Sequence, residues 1–320
     1  MASQGIQAAE VATPPPLWHS LLTNGGFVTD DIWTIQRLRD WTCAYLDKHG
    51  SLTPRLDTDL LLGEVLKLPR LQLLLRLEQL VLKDELAAFK ALVKRRAARE
   101  PVAYILGRRA FYDLEVRVDA RVLVPRPETE SLVDAVLLFL KEPTAPEGAV
   151  LDLCTGSGAI ALAIAKALQA RQAERPVLAT DVSAPALEVA RQNAALLTLP
   201  VQFAQGDLWA ALPADQRFAV IASNPPYVLH DTIASLEPDV RAWEPHLALD
   251  GGADGLDILR QIAAHAARRL VPGGLLAVEL GSPAQGRALV ELLTAAGLPG
   301  GKVEPVTEGP TSLVLARAPT

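Results

Sequence analysis

The 320-residue chain has little cysteine: Cys43 and Cys154 are the only two, and the 5 histidines are scattered too widely to complete a Cys/His zinc site. A disulfide framework is excluded, and reduced cytosol is the compartment this usage implies. An excess of positive charge is also missing. Lys+Arg 31 against Asp+Glu 37 leaves a net charge of -6, which argues against a protein whose affinity rests on neutralising nucleic-acid phosphates. Long apolar runs are absent too, since stretches such as Ala135–Leu140 and Ala159–Ala165 fall far short of the roughly 18 residues a membrane helix needs. There is no internal repeat. Met1 to Pro16 holds no basic residue and runs into Pro14-Pro15-Pro16, so residues 1–27 read as a loose leader rather than a secretory signal.

What is present is an ordinary soluble globular composition, 50% hydrophobic and 21% charged. At roughly 150 residues per domain the length suggests two domains. Residues 28–106 carry helical spacing only. Thr29 or Asp30 can cap a helix through Ile32, Ile35, Leu38, Trp41 and Tyr45; Pro54 opens a second, Pro69 a short third, and Lys83 to Ala98 gives a fourth. That last helix ends in a basic run, Lys90 to Arg99, read as a solvated helix end or a docking surface. Residues 107–125 read as a β-hairpin linker, with Leu114, Val116 and Val118 alternating before a turn at Asp119-Ala120 and a return through Val122 to Val124.

From residue 126 to 320, helical segments alternate with apolar runs at Val150–Leu153, Val177–Thr180, Val201–Ala204, Ala219–Ala222 and Leu275–Glu279. This alternation predicts an α/β fold: a doubly wound, mostly parallel sheet. Val303–Val306 and Ser312–Leu315, separated by Glu308-Gly309-Pro310, suggest an antiparallel closing hairpin.

The first of these strands ends in Asp152-Leu153-Cys154-Thr155-Gly156-Ser157-Gly158 and leads into a helix. Glycines at a strand-to-helix turn admit a ligand close to the backbone, at the crevice where doubly wound sheets bind ligands. Asp181, at the end of the next strand, can accept both ribose hydroxyls of a nucleoside. A nicotinamide cofactor and S-adenosylmethionine both fit, although Ala161 replaces the third glycine of a dinucleotide fingerprint. The plain alternative is a tight turn without a ligand. Ser157 lacks the surroundings of a hydrolase elbow, and Cys154 reads as a packing residue.

Ser223-Asn224-Pro225-Pro226-Tyr227 closes the fourth strand. Two prolines carry no backbone N–H, so this loop displays oxygens with few competing donors. Such a loop can bind a planar NH2 group through Asn224, the Pro225 carbonyl and the face of Tyr227. Otherwise it is a proline turn with Tyr227 packed inward.

Taken together, the Asp152–Gly158 turn and the Asn224–Tyr227 loop resemble class I S-adenosylmethionine-dependent methyltransferases acting on planar nitrogens. Val124-Pro125-Arg126-Pro127-Glu128-Thr129-Glu130, and Glu244-Pro245 with Gly251-Gly252-Ala253-Asp254-Gly255-Leu256, are similar to the release factor glutamine methyltransferases. The resemblance covers about Ile32 to the C-terminus. It departs at Cys154, where glycine is more frequent, and at Leu208, often aromatic, for which adjacent Trp209 is the candidate replacement.

That resemblance implies S-adenosyl-L-methionine as cofactor, held by Cys154, Thr155, Gly156, Ser157, Gly158, Asp181, Asp207, Leu208 and Asn224. It implies a catalytic loop of Asn224, Pro225, Pro226 and Tyr227, with no metal. The implied substrate is the glutamine of the Gly-Gly-Gln motif in peptide chain release factors, its proton leaving to solvent or a loop oxygen. Residues 28–106 then act as a substrate-recognition domain in a cytoplasmic monomer that requires neither nucleic acid nor membrane. The alternatives are a ribosomal-protein glutamine, adenine in DNA, or a noncatalytic binding protein; the acidic charge balance disfavours DNA, and an intact Asn224 and Tyr227 disfavour loss of activity.

Overall fold

The structure is a computed structural model and describes residues 32–306 and 311–320. The leader, the Thr29 and Asp30 caps, and the Glu308-Gly309-Pro310 turn lie outside the described residues. Two compact units emerge, one reaching to Val102 and the other starting at Ala103.

The first unit is helical: α1 (Ile35–Lys48), α2 (Pro54–Leu66), α3 (Arg70–Leu75) and α4 (Lys83–Ala97). Thr34 caps α1, its hydroxyl accepting from the Arg37 N–H at 3.2 Å, so the helix starts later than Thr29 or Asp30 would have allowed. Pro54 occupies the first position of α2, where a missing N–H costs nothing. Two aspartates on α2 are buried, and each is matched by arginine. Asp59 accepts from Arg39 Nε at 2.7 Å; Asp57 accepts from Arg96 Nε at 2.6 Å, Ser51 Oγ at 2.7 Å and Thr53 Oγ1 at 2.9 Å.

The basic run divides: Lys94 and Arg95 stay exposed, as a solvated helix end would, while Arg96 alone turns inward. Arg96 is buried on Asp57, Arg95 is bidentate on Glu100, and Arg99 donates to the Gly50 carbonyl. Arg96 holds the unit from within, while Arg95 and Arg99 make their contacts nearer the surface.

In the second unit a short helix, α5 (Val102–Leu106), precedes the hairpin β1 (Arg108–Phe111) and β2 (Leu114–Arg117). The turn is Tyr112-Asp113, with Tyr112 at φ 55, and not Asp119-Ala120. Leu114 and Val116 are buried as their alternation requires, but they pair back onto Arg108–Phe111. Val122 to Val124 forms no strand. Its approach is set instead by Arg121 on Asp119 and by Tyr104 Oη donating to the Val122 carbonyl at 2.5 Å.

The main sheet contains β3 (Val150–Leu153), β4 (Val177–Asp181), β5 (Val201–Gln205), β6 (Phe218–Ser223), β7 (Leu270–Leu280), β8 (Lys302–Pro305) and β9 (Ser312–Arg317), in the order β5-β4-β3-β6-β7-β9-β8. The first five in that order are parallel, and β9 and β8 add antiparallel. The expected α/β architecture is the one found. Between the strands run α6 (Glu130–Phe139), α7 (Ala159–Ala170), α8 (Ala184–Leu197), α9 (Pro238–Arg241), α10 (Asp257–Arg269) and α11 (Pro283–Ala295). Alternation sorts the core: Val150, Ala179, Val220 and Ala277 join one cluster with α6, α7 and α8, while Leu151, Leu153, Ile221 and Leu276 join another with α10 and α11. Central strands buried on both faces read as continuous apolar runs for this reason. After β3 the chain winds to β4 and β5 on one side, then returns to β6 on the other, which opens a crevice beyond the β3 and β6 ends.

Removing one partner of a buried ion pair leaves a charge without compensation. Asp57→Ala should therefore cost about 3–5 kcal/mol in denaturant unfolding, whereas Asp40→Ala, at the exposed pair with Arg55, should stay within about 1 kcal/mol. Equal losses would mean that the buried pair does not hold the helical unit.

Candidate active site

The turn after β3 is built on a buried carboxylate. Asp152 Oδ2 accepts from Thr155 Oγ1 at 2.6 Å and from the Ala161 N–H at 3.1 Å, tying the turn to the first residues of α7. Burial pushes its pKa up to about 7. Cys154, Gly156 and Gly158 all have left-handed backbones, at φ 60, 54 and 86. Their glycines serve different ends. A Cβ on Gly158 would stand 3.1 Å from Leu162 Cδ1 and 3.2 Å from Ala190 Cβ, so Gly158 allows α7 and α8 to pack. A Cβ on Gly156 would face open space, the signature of a backbone left bare for something that approaches it.

Asp181 reaches the same turn: its Oδ2 accepts from the Gly156 N–H and its Oδ1 from the Ser183 N–H, both at 2.9 Å. Burial raises its pKa, and these backbone donors oppose the rise. Asn193, on α8, was not anticipated. Its Nδ2 donates to the Ser157 and Arg117 carbonyls at 2.9 and 3.0 Å, and its Oδ1 accepts from the Arg117 N–H at 2.7 Å, joining β2 to the glycine turn.

A cavity of about 310 Å³ opens here. Its lining includes Cys154, Thr155, Gly156, Ser157 and Asp181 from the first two strands, and Asp207, Leu208, Asn224 and Pro226 from the next two. Gly158, Pro225 and Tyr227 of the expected set do not line it. Trp209 is corrected as well: it is buried, with Nε1 donating to the Gln261 carbonyl at 2.9 Å and Arg269 over its ring at 5.7 Å. Leu208 itself and Ile258 supply the apolar surface instead. The Cys154 thiol is pushed up by burial and so stays protonated, as a packing residue should.

Asn224 is oriented by a residue 95 positions earlier. Its Nδ2 donates to Thr129 Oγ1 at 3.1 Å, leaving Oδ1 as the group's acceptor. Tyr227 is packed inward among three glycines. A Cβ at Gly251 would lie 2.8 Å from Tyr227 Cα, at Gly255 2.5 Å from its carbonyl oxygen, and at Gly281 2.9 Å from its ring. Gln285 Nε2 donates to the same carbonyl at 2.8 Å. The Tyr227 hydroxyl donates to Glu279 Oε1 at 3.4 Å, and burial raises its pKa.

Glu279 is 1% exposed, and burial pushes its carboxyl up to about 7. Its only sequence signal is an acidic residue at the end of an apolar strand. Arg126 Nη2 donates to the buried Glu244 at 2.6 Å, so the Pro125–Glu130 and Glu244–Leu256 segments converge on one cavity. Among the described residues there is no cluster able to hold a metal, no helix is long and apolar enough to cross a membrane, and both cysteines are free.

Comparison with known proteins bears on both units. Residues 37–107 match the PrmC N-terminal domain and residues 132–237 the Methyltransferase small domain. The release factor glutamine methyltransferase of Rhodopirellula baltica is 42% identical over 255 residues, covering 78% of this chain and 85% of the relative. That of Geobacter sulfurreducens is 43% identical over 251 residues, with the same shares. Among solved structures, the hMettl16 catalytic domain in complex with a MAT2A 3'UTR hairpin superposes with a TM-score of 0.51 at 16% identity, over 69% of this chain and 81% of that one; this is a likeness of fold. The chain belongs to the release factor glutamine methyltransferase family.

Proposed function

We propose that this protein transfers a methyl group from S-adenosylmethionine to the side-chain amide nitrogen of the Gly-Gly-Gln glutamine in peptide chain release factors. The observation that carries this reading is Asn224. Its NH2 donates to Thr129 and the residue lines the same cavity as the glycine turn, in a chain about 42% identical to enzymes of that name.

The cavity residues fit the cofactor. The bare Gly156 backbone, the Asp181 carboxylate and the apolar Leu208 and Ile258 suit an adenosyl group, and Cys154, Thr155, Ser157 and Asp207 complete its surroundings. When bound, S-adenosylmethionine supplies a methyl group on a positively charged sulfur. The protein's task is the nucleophile, because an amide nitrogen has its lone pair delocalised into the carbonyl. Asn224 Oδ1 accepts from the substrate NH2 and fixes its direction, and the adjoining Pro225 carbonyl, outside the lining of the cavity itself, is the second acceptor in this reading. Holding reactants in line and presenting fixed dipoles can supply much of the rate. The N–H proton leaves to solvent or a loop oxygen. We place the enzyme in the cytoplasm and assign residues 28–106 to recognition of the release factor, with the exposed Leu71 and Leu75 of α3 as the contact.

Methyl transfer to purified release factor, against a Gln→Ala control in the Gly-Gly-Gln motif, tests the reaction; no difference between them overturns it. If Asp181 binds the ribose, its charge-assisted hydrogen bonds are worth about 1.5–3 kcal/mol, so Asp181→Ala should weaken cofactor binding by about 10- to 150-fold in calorimetric titration. Asn224→Ala should lower turnover by about a hundredfold or more, with a much smaller change in cofactor affinity. Equal losses in both quantities would reassign Asn224 to the cofactor. Leu71→Ser with Leu75→Ser should raise the KM for intact release factor and leave a short Gly-Gly-Gln peptide unaffected, since the peptide never used that contact.

A further inference from the structure

Gln285 has no part in the reaction described above, yet its side chain sits where α11, the acceptor loop and the Gly251–Leu256 segment meet. It lies in the first turn of α11, is 8% exposed and does not line the cavity. Its amide is engaged at both ends. Nε2 donates to the Tyr227 carbonyl at 2.8 Å and to the Gly255 carbonyl at 3.3 Å, and Oε1 accepts from Ser282 Oγ at 3.3 Å. Turning the amide over would set its oxygen against two carbonyls, so only one orientation fits. The neighbouring backbone makes room for it. A Cβ on Gly255, whose φ is 72, would collide with Gln285 Nε2 and stand 2.5 Å from the Tyr227 carbonyl oxygen, and one on Gly281 would lie 3.2 Å from Oε1.

The amide fixes the far end of the acceptor loop. At the near end, Ser223 pairs with Leu153 and Val278, and its hydroxyl donates to the Leu153 carbonyl at 2.8 Å. At the far end, the peptide group joining Tyr227 to Val228 is held on both sides, its carbonyl by Gln285 and its N–H by the Leu249 carbonyl at 2.9 Å. The Gly251 N–H donates in turn to the Val228 carbonyl at 2.8 Å, and the His230 N–H to the Gly252 carbonyl at 2.9 Å, so the chain leaves the loop paired with the segment that Gln285 also grips.

Only Asn224, Pro225 and Pro226 lie between these two fixed ends, and each proline ring locks its φ near about −65°. The directions of the Pro225 carbonyl and the Asn224 amide therefore follow from where the ends are held. We propose that Gln285 is a positioning residue for methyl transfer: by clamping the Tyr227 carbonyl to that of Gly255, it aims the acceptor groups of Asn224 and Pro225 without touching substrate or cofactor. The glycine turn is tied down separately, by Asp152, Asp181 and Asn193, so the clamp serves the acceptor side of the cavity alone.

The inference rests on the proposed methyl transfer but has a readout apart from it. Gln285→Met keeps the length of the side chain and removes both donors. In the full-length protein it should lower kcat by about 10- to 100-fold, the cost of a misaimed reacting group, with KM and the calorimetric affinity for S-adenosylmethionine changed by less than about threefold. Gln285→Glu, the same shape with no donor while ionised, should behave alike, so whichever variant folds better decides. Leu292→Ala, which strips apolar contact from the same helix, should lower the unfolding midpoint yet leave kcat unchanged. In hydrogen exchange, the Val228 and Gly251 amides should exchange about tenfold faster or more in Gln285→Met, while the Ala161 amide, bonded to Asp152, keeps its wild-type rate. Unchanged kcat, a loss shared equally by cofactor affinity, an equal loss in Leu292→Ala, or unchanged exchange at Val228 and Gly251 would overturn the assignment. A wild-type protein that transfers no methyl group to glutamine would overturn the proposed function instead, and the exchange rates would still decide whether Gln285 clamps the loop.

Discussion

The site depends on one buried carboxylate, Asp152, which anchors the glycine turn to the first residues of α7 while Asp181 and Asn193 grip it from neighbouring elements. Between Leu153 and Ala159 the chain reverses through left-handed residues, so its backbone groups are lost to regular pairing. Asp152 compensates, one oxygen serving both the Thr155 hydroxyl and the Ala161 N–H. Because that anchor lies beneath the turn, the upper surface at Gly156 stays open. Asp181 then adds a second carboxylate from the neighbouring strand, and the two together make the turn a fixed shape rather than a loop that must be ordered on binding.

The second half of the site follows a different principle. The acceptor loop after β6 has few donors of its own, so its shape comes from outside: Thr129 from before α6, Gln285 from α11, and glycines on both sides of Tyr227. Gly251 and Gly255 are needed because side chains there would collide with the Tyr227 backbone. The cavity is thus shared between a turn that anchors itself and a loop gripped by its neighbours.

What could be read from the sequence divides along the same line. The parallel strands and the glycine turn are written in contiguous residues, as unbroken apolar runs and a dense local pattern, and both were legible. Asn224 and Tyr227 were legible as residues, but their partners were not. Thr129 lies 95 residues from Asn224, and Glu279 lies 52 from Tyr227, distances over which no periodicity carries information. The hairpin was expected in the right region with the wrong partner, because Leu114 and Val116 alternate identically whether they pair backward or forward. The burial of one member of the basic run was illegible for a related reason: charge spacing on α4 cannot reveal that an aspartate 39 residues away turns Arg96 inward. Trp209 shows the limit of adjacency, since one step along a turn moved it from the cavity to the core.

Asn193 sets a rule for which length changes this protein can absorb. Its single amide ties Arg117 to Ser157 across separations of 76 and 36 residues in the chain. The connections inside those spans can grow, since lengthening a flexible surface loop twofold costs only about 0.6 kcal/mol. A one-residue slip of β2 has no such latitude. It would turn Leu114 and Val116 out of the core and present the Asn193 amide with the wrong backbone groups, so insertions belong between the strands and not within the hairpin.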